Sequence, residues 1–237
     1  MFELYDPFPI KYRTQKHGEN ANSFYKSIGL NGHPNDDWGV SFGTKIPCCI
    51  DNSYVYSTLN SPDRAKYRAV FTLVETDTEI VYEVSYGHLD EIHATIGSYL
   101  KVGDILGTVG NTGDVYSNGV KVTEEEQRAG SKKGAHLHGA QIRKCRMVKE
   151  TRHDRNYLHD GNGILRYKGH YVEFVDFNNG FNGCIDGAPF KNGKVAIPKF
   201  GQLDEQEFDQ VVDLASPYID PKKWDIIKII KGLLKLK

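Results

Sequence analysis

Short alternating runs of apolar residues most constrain what this chain can fold into. Four such runs lie at residues 45–50, 54–57, 67–75 and 79–86, and turn-forming Asn, Asp, Ser and Pro residues separate them. Runs this short predict neighbouring antiparallel strands, hence a mainly β fold. In the last run His88 has the same parity as Tyr82, Val84 and Tyr86, so it either caps that edge or looks into a cleft.

A further strand is predicted over residues 136–142, which Gly134 leads into. His136, His138, Ala140 and Ile142 would share one of its faces, because alternate residues of a strand point the same way. The two imidazoles would then stand about 6–7 Å apart, set by the rise of an extended chain. That spacing suits one metal ligand beside one proton-transfer group.

A turn upstream carries a histidine and a carboxylate four residues apart. Pro34 and its glycine and asparagine neighbours predict a turn between His33 and Asp37. Such a pair can close onto one ion, although an ordinary Asn- and Asp-rich turn is the alternative. With His138 it would make two histidines, one carboxylate and an open position, a pattern typical of catalytic zinc.

The remaining imidazoles complete a set of groups sufficient for amide hydrolysis. Zinc lowers the pKa of a bound water toward about 7 and so creates a nucleophile. One neutral imidazole, at His88 or His136, can carry the proton of that water to a leaving amine. The other can stabilise charge that develops on the attacked carbonyl oxygen.

These motifs, in this order, resemble the lysostaphin-type (LytM-like) zinc metalloendopeptidases that cut peptidoglycan cross-links. A Gly-His-x-x-x-Asp motif with a later Gly-Thr lies at residues 32–37 and 43–44, and Tyr-x-His-Leu lies at 86–89. A glycine-spaced stretch follows at residues 102–113, and His-Leu-His lies at 136–138. Each motif is weak alone, but four in the family's order are a strong signal.

The resemblance implies one Zn²⁺ ion held by His33, Asp37 and His138. The four-residue spacing and the Gly-Thr that follows favour Asp37 over Asp36 as the ligand. His88 and His136 would act as general base and transition-state stabiliser. A tyrosine upstream of the first motif often helps hold the oxyanion in this family, and Tyr25 is the nearest candidate.

The resemblance also implies a fold and a division into parts. The zinc peptidase domain would span residues 1–145, as an antiparallel, sandwich-like (duplicated-hybrid-motif-like) β structure with short helices. The composition of residues 1–32, rich in Pro, Gly, Asn and Tyr, independently predicts an irregular lead-in with one short helix near 23–28. A charged insertion at 114–133 would fall at the cleft wall, with a short helix begun by a Thr-x-x-Glu capping box at 123–126.

This chain departs from the family's pattern at two further places. Asn35 stands where the family has glycine, and Gly139 and Ala140 follow the last motif where an aromatic residue and often an acid are usual.

Beyond the motifs, residues 146–200 predict a β-rich extension, either a wall-binding appendage or extra packing on the catalytic domain. Residues 201–237 predict a helical tail that is amphipathic and basic at 222–237, where six lysines and one aspartate give a net charge of +5. Such a helix either contacts an anionic membrane or lipopolysaccharide or docks on its own domain.

Charge and composition bear on partners and location. A net charge of −1 gives no argument for nucleic acid, and no run of eighteen apolar residues is present. No signal peptide is recognisable, so we expect synthesis in the cytoplasm and action on the wall after lysis or from a virion, as for a phage lysin. The four cysteines predict small buried thiols, with a disulfide as the alternative.

Two rival functions remain open at this stage. A degenerate family member would bind the wall or activate a partner without cutting, and such proteins typically lack ligands that this chain retains. A zinc peptidase acting on a non-wall peptide would keep the same chemistry on another substrate.

Overall fold

A computed structural model of the protein describes residues 2–198. Two short helices lie within them, α1 at Ser23–Ser27 and α2 at Glu124–Arg128. The first nine strands are β1 Leu4–Asp6, β2 Arg13–Gln15, β3 Asp36–Trp38, β4 Lys45–Pro47, β5 Ser53–Leu59, β6 Ala69–Glu75, β7 Ile80–Gly87, β8 Leu89–Ile92 and β9 Tyr99–Leu100. The later strands are β10 Ile105–Val109, β11 Tyr116–Ser117, β12 Val120–Lys121, β13 Leu137–Val148, β14 Arg166–Tyr167, β15 His170–Phe174, β16 Cys184–Ile185 and β17 Lys191–Val195.

The main sheet is organised on the long strand β13. Along one edge β13 pairs antiparallel with β7, and the sheet continues through β6 and β5 to β9. Along the other edge it pairs in succession with β3, β16 and β15. The mainly β, antiparallel fold predicted from the sequence is therefore confirmed.

A second, three-stranded sheet in the order β4-β10-β8 packs on one face of the main sheet. The core between them includes Trp38, Tyr86 and Leu137 from the main sheet and Ile46 and Leu106 from the smaller one. A second apolar cluster includes Leu73 and Val81 of the main sheet together with Leu158 and Leu165 of the later chain. The strands of the main sheet are thus apolar on both faces, which explains why apolar and polar residues do not alternate strictly along them.

Residues beyond 145 continue the same sheet. Cys145 pairs with Phe174, and Ile142 pairs with Ile185, so β15 and β16 lie directly on β13. Strand β17 runs parallel to β1, near the start of the chain. The predicted division at residue 145 stays a prediction, but β13 crosses it without interruption.

The predicted shared face of residues 136–142 is wrong beyond His138. His138 pairs with Gly87 and Gln141 pairs with Ser85, so β13 holds one more residue than β7 over this interval. An extra residue of this kind is a β-bulge, and it reverses the alternation of faces that follows. Ile142 accordingly lies in the same core as Leu137, although residues five positions apart in a regular strand point to opposite faces.

Two other expectations can be compared with the structure. The lead-in does contain a short helix, α1, but the strands β1 and β2 also form there, so it is less irregular than predicted. The capping box on α2 is present, with Thr123 and Glu126 each accepting a hydrogen bond from the other's backbone N–H. Among residues 2–198, no helix has the length and apolar character needed to cross a membrane. The predicted tail at 201–237 lies outside the described residues.

Candidate metal centre and cleft

Three of the sequence motifs meet where β3, β13 and β7 run side by side. His138 on β13 pairs with Asp37 on β3 across one edge and with Gly87 on β7 across the other. His88 follows directly after Gly87. The sheet register therefore places the last motif between the first and the middle one.

His33 reaches this point from the loop before β3. Its backbone N–H donates to the carbonyl of Glu19, and its own carbonyl accepts from Gly18, so the loop is fixed against the lead-in. A Cβ on the preceding Gly32 would lie 2.6 Å from the carbonyl oxygen of Gly18, so this approach requires glycine. His33 Nδ1 donates to the carbonyl of Asn35 at 2.6 Å, which leaves Nε2 as the free nitrogen.

The predicted ligands come together around the Asp37 carboxylate. His33 Nε2 lies 3.1 Å from Asp37 Oδ2, and His138 Nδ1 lies 3.0 Å from Asp37 Oδ1. One ligand atom from each of the three residues lies within 4.8 Å of the other two. Tetrahedral zinc with bonds of about 2.0–2.1 Å places neighbouring donors about 3.3 Å apart. These residues therefore fit a zinc ion in donor type and in spacing.

Burial and mutual contact shift the pKa values of these groups. Burial would raise the pKa of Asp37, but the charge of His138 and hydrogen bonds from both histidines hold it well below its usual range. Burial lowers the pKa of His138, and Asp37 offsets only part of that effect. At His33 burial also acts to lower the pKa, but the hydrogen bond and charge of Asp37 outweigh it and the pKa is raised. Asp37 is thus kept ionised, as a metal ligand must be.

His88 faces the cleft because its backbone leaves the strand. Its φ of 61° lies in the left-handed region, which is uncommon for a residue with a Cβ, and it turns the side chain away from the face of Tyr86. Its Nδ1 donates to the carbonyl of Thr112 at 2.6 Å, so Nε2 is left as the acceptor. Burial, with the nearby His136 and His138, lowers the pKa of His88 well below its usual value.

His136 lies beside His88, with ring centroids 4.6 Å apart. Its backbone N–H donates to the carbonyl of Gly110, and its Nδ1 donates to the carbonyl of Gly134 at 2.8 Å. The free Nε2 lies 3.7 Å from Asp37 Oδ2, farther than the nitrogens of the two predicted ligands. His33, His88 and His136 therefore all bind a backbone carbonyl through Nδ1 and direct Nε2 to the site.

The ring of Tyr25 packs edge-on against His33, with centroids 5.7 Å apart. Its hydroxyl accepts a weak hydrogen bond from Gln15 Nε2 at 3.4 Å. Burial raises the pKa of Tyr25, so the hydroxyl stays protonated and can donate. Tyr25 lines the same cleft as the histidines, as the assignment from the resemblance requires.

The histidines also form a second group with metal-binding spacing. His88, His136 and His138 each offer a nitrogen within 4.8 Å of the others. His138 belongs to both groups, and only the first contains a carboxylate, which a protein site uses to offset the charge of zinc. The assignment of His33, Asp37 and His138 as ligands stays a prediction, and the carboxylate of Asp37 favours it over the three-histidine set.

The site opens into a cleft of about 750 Å³. Helix α1 contributes Phe24 to its wall, and the predicted insertion contributes Tyr116. Their rings meet edge-on with centroids 5.8 Å apart. The insertion therefore lines the cleft, where the sequence placed it.

Three residues that support the site were not identified from the sequence. Thr112 holds His88 through its carbonyl and donates from Oγ1 to the carbonyl of Leu89. Tyr67 packs edge-on against His88, and its hydroxyl fills the place that a Cβ on Gly87 would occupy. Lys191 lies behind Asp36. The glycine-spaced stretch at 102–113 includes Thr112 but does not indicate that Thr112 contacts His88, and the other two residues had no local signal.

Comparisons with known proteins concern the fold. No protein-family model matches the chain, and no curated sequence matches it significantly. Among solved structures the chain is similar to LytU, with 21% identity and a TM-score of 0.43 over 79% of this chain and 89% of that one. It is also similar to a catalytic-domain mutant of the prophage-encoded protein EnpA from Enterococcus faecalis, with 20% identity and a TM-score of 0.38 over 60% of this chain and 87% of that one. A third similar structure is the catalytic domain of the antimicrobial peptidase lysostaphin from Staphylococcus simulans, with 19% identity and a TM-score of 0.34 over 79% of this chain and 87% of that one.

Proposed function

We propose that this protein is a zinc-dependent endopeptidase that hydrolyses peptide cross-links of bacterial peptidoglycan. The observation that carries the chemistry is the meeting of His33, Asp37 and His138 around one point, with His88 and His136 beside it in an open cleft. The substrate class rests on the resemblance of the four motifs to wall-cutting peptidases.

The protein's own groups can perform the remaining steps. His33, Asp37 and His138 would hold a zinc ion, which would supply Lewis-acid chemistry at neutral pH. His88 Nε2, left unprotonated because Nδ1 donates to Thr112, accepts the proton of the attacking water and returns it to the leaving amine. The Tyr25 hydroxyl donates to the attacked carbonyl oxygen and stabilises its negative charge; His136, whose Nδ1 proton is bound to Gly134, does the same from Nε2 when the ring is the doubly protonated imidazolium. The cleft holds the peptide so that its carbonyl meets these groups.

Digestion of purified sacculi, with mass spectrometry of the released fragments, tests this proposal directly. We expect new amino termini within the cross-links, formed by the wild-type protein and abolished by a chelator and by His138→Ala. Restoration by zinc should be complete for the wild type and absent for the variant. Intact sacculi together with cleavage of an unrelated peptide would indicate a peptidase of another substrate class. Binding to sacculi without any cleavage, equal in both proteins, would indicate a binding module instead.

We further propose that the basic segment at 222–237 helps the enzyme reach its substrate in an anionic envelope, as a lysin freed by lysis or carried on a virion would need. The charge of +5 over sixteen residues supports this. A protein ending at residue 220 should cleave purified sacculi at the wild-type rate but lyse intact cells more slowly. Equal lysis of intact cells by both proteins would contradict the role of the segment.

A further inference from the structure

Lys191 is a cation placed behind the candidate metal centre, on the last described strand. Its Nζ donates a hydrogen bond to Asp36 Oδ2 at 2.7 Å and forms an ion pair with Asp6 Oδ1 at 2.8 Å. The same Nζ lies 5.5 Å from the ring centre of Trp38. The side chain is only 18% exposed, and those of Asp6 and Asp36 are 12% and 15% exposed, so solvent screens this cluster weakly.

Asp36 and Asp37 are adjacent on β3 and serve opposite sides of it. Asp37 faces His33 and His138, whereas Asp36 contacts Lys191 and Arg13. The backbone N–H of His17 also donates to Asp36 at 3.1 Å. The Asp36 carboxylate therefore lies between two cationic side chains and a backbone hydrogen-bond donor.

Two neighbouring carboxylates next to a metal site pose a problem of selection. Successive residues of a strand point to opposite faces, so a slip of one residue would exchange Asp36 for Asp37 at the site. The strand β3 has only three residues. It pairs with β13 through Leu137, His138 and Gly139 on one edge and with β2 on the other, where the register itself shifts between Arg13 and Gln15. Lys191 holds Asp36 on the side of the strand that faces away from the cleft, and this keeps Asp37 on the side that faces the cleft.

We propose that Lys191 is a positioning residue for the metal centre. By binding Asp36 and Asp6 it keeps Asp36 away from the cleft and holds Asp37 in line with His138. The inference rests on the proposed zinc site. It also gives the chain beyond the motifs a part in that site, because β17 lies parallel to β1 and brings Lys191 between the two carboxylates.

Zinc affinity of Lys191→Met tests this inference, because Met keeps the length of the side chain and removes its charge. We expect zinc, measured by competition with a chelating dye, to bind roughly 10-fold more weakly, the lower end of the effect of outer partners on metal affinity. Lys191→Arg should recover most of the affinity. Lys194→Met is the matched control, since Lys194 lies on the same strand, is exposed and lies over the ring of Tyr5, away from the carboxylates that Lys191 binds. Its affinity for zinc should equal that of the wild type.

The thermal midpoint of the metal-free proteins separates positioning from simple stabilisation. If Lys191→Met lowers the midpoint but binds zinc as tightly as the wild type, Lys191 only stabilises the fold and the inference is overturned. An equal loss in Lys194→Met overturns it as well. The double variant Lys191→Met, Asp36→Asn should bind zinc more tightly than Lys191→Met, because it removes a competing carboxylate; no gain contradicts the selection of Asp37. If the wild type itself binds no zinc, the proposed function fails along with the inference.

Discussion

His136 and His138 are separated by one residue, yet their replacement by alanine should have different consequences. His138 Nδ1 lies 3.0 Å from Asp37 Oδ1, within the donor group that fits zinc. A four-ligand structural zinc site is worth about 10–16 kcal/mol, or about 3 kcal/mol for each ligand. The loss of one ligand therefore weakens binding about 100-fold, and His138→Ala should lose its zinc on dialysis.

His136→Ala should keep zinc and lose turnover. Its Nε2 lies 3.7 Å from Asp37, and its Nδ1 is bound to the carbonyl of Gly134, so the residue lies beside the donor group rather than within it. Loss of a group that acts on the reacting atoms typically costs about 10²–10⁴-fold in rate. Zinc content by atomic absorption and the rate on purified sacculi, measured on one preparation, separate the two effects.

His93→Ala is the control, because the His93 side chain is exposed and pairs with Glu91 at the surface, so the variant should resemble the wild type in both measurements. Equal loss of zinc from His136→Ala and His138→Ala would refute the division between them. Retention of zinc by His33→Ala with loss from His88→Ala would show that the three-histidine group is the true metal site.

Three further outcomes follow from the structure. The thiols of all four cysteines have raised pKa values because they are buried, so a thiol reagent should label them only after unfolding; rapid labelling of the native protein would contradict this. Gln127→Ala should lower stability by about 1–3 kcal/mol, seen as a lower thermal midpoint than that of exposed Glu125→Ala, because Gln127 Nε2 donates to the carbonyls of Asn111 and Gly113. Zinc beyond one equivalent should inhibit, because a second ion can engage His88 and His136; activity that stays constant in tenfold excess would argue against such binding.

The strand pattern was readable from sequence because each run carries its own alternation and its own turn residues. The runs predicted at 54–57, 67–75 and 79–86 correspond to β5, β6 and β7, and the capping box at Thr123 does begin α2. The four motifs were readable for a different reason, since each keeps its residues within a few positions. Their meeting in space depends on strand register, which only the resemblance implied.

What could not be predicted depends on contacts between distant segments. The bulge after His138 exists because β13 must pair with β7 while Ala140 adopts a φ of 51°, and no local pattern marks it. The left-handed backbone of His88 is similarly held from outside, by Thr112 through its carbonyl and by Tyr67 against its ring. Lys191 pairs with Asp36 across 155 residues, a separation at which charge patterning has no predictive power.

Strand β13 has a consequence for how short the protein can be made. The last motif residue lies at its beginning, and the remainder is covered on one side by β16 and β15. A chain ended at residue 145, where the motifs alone would suggest stopping, would cut this strand and leave that side bare. An uncovered strand edge of this length is a template on which other copies can pair and aggregate. The segment without motifs is therefore also the cover that keeps the main sheet from associating with a second copy of itself.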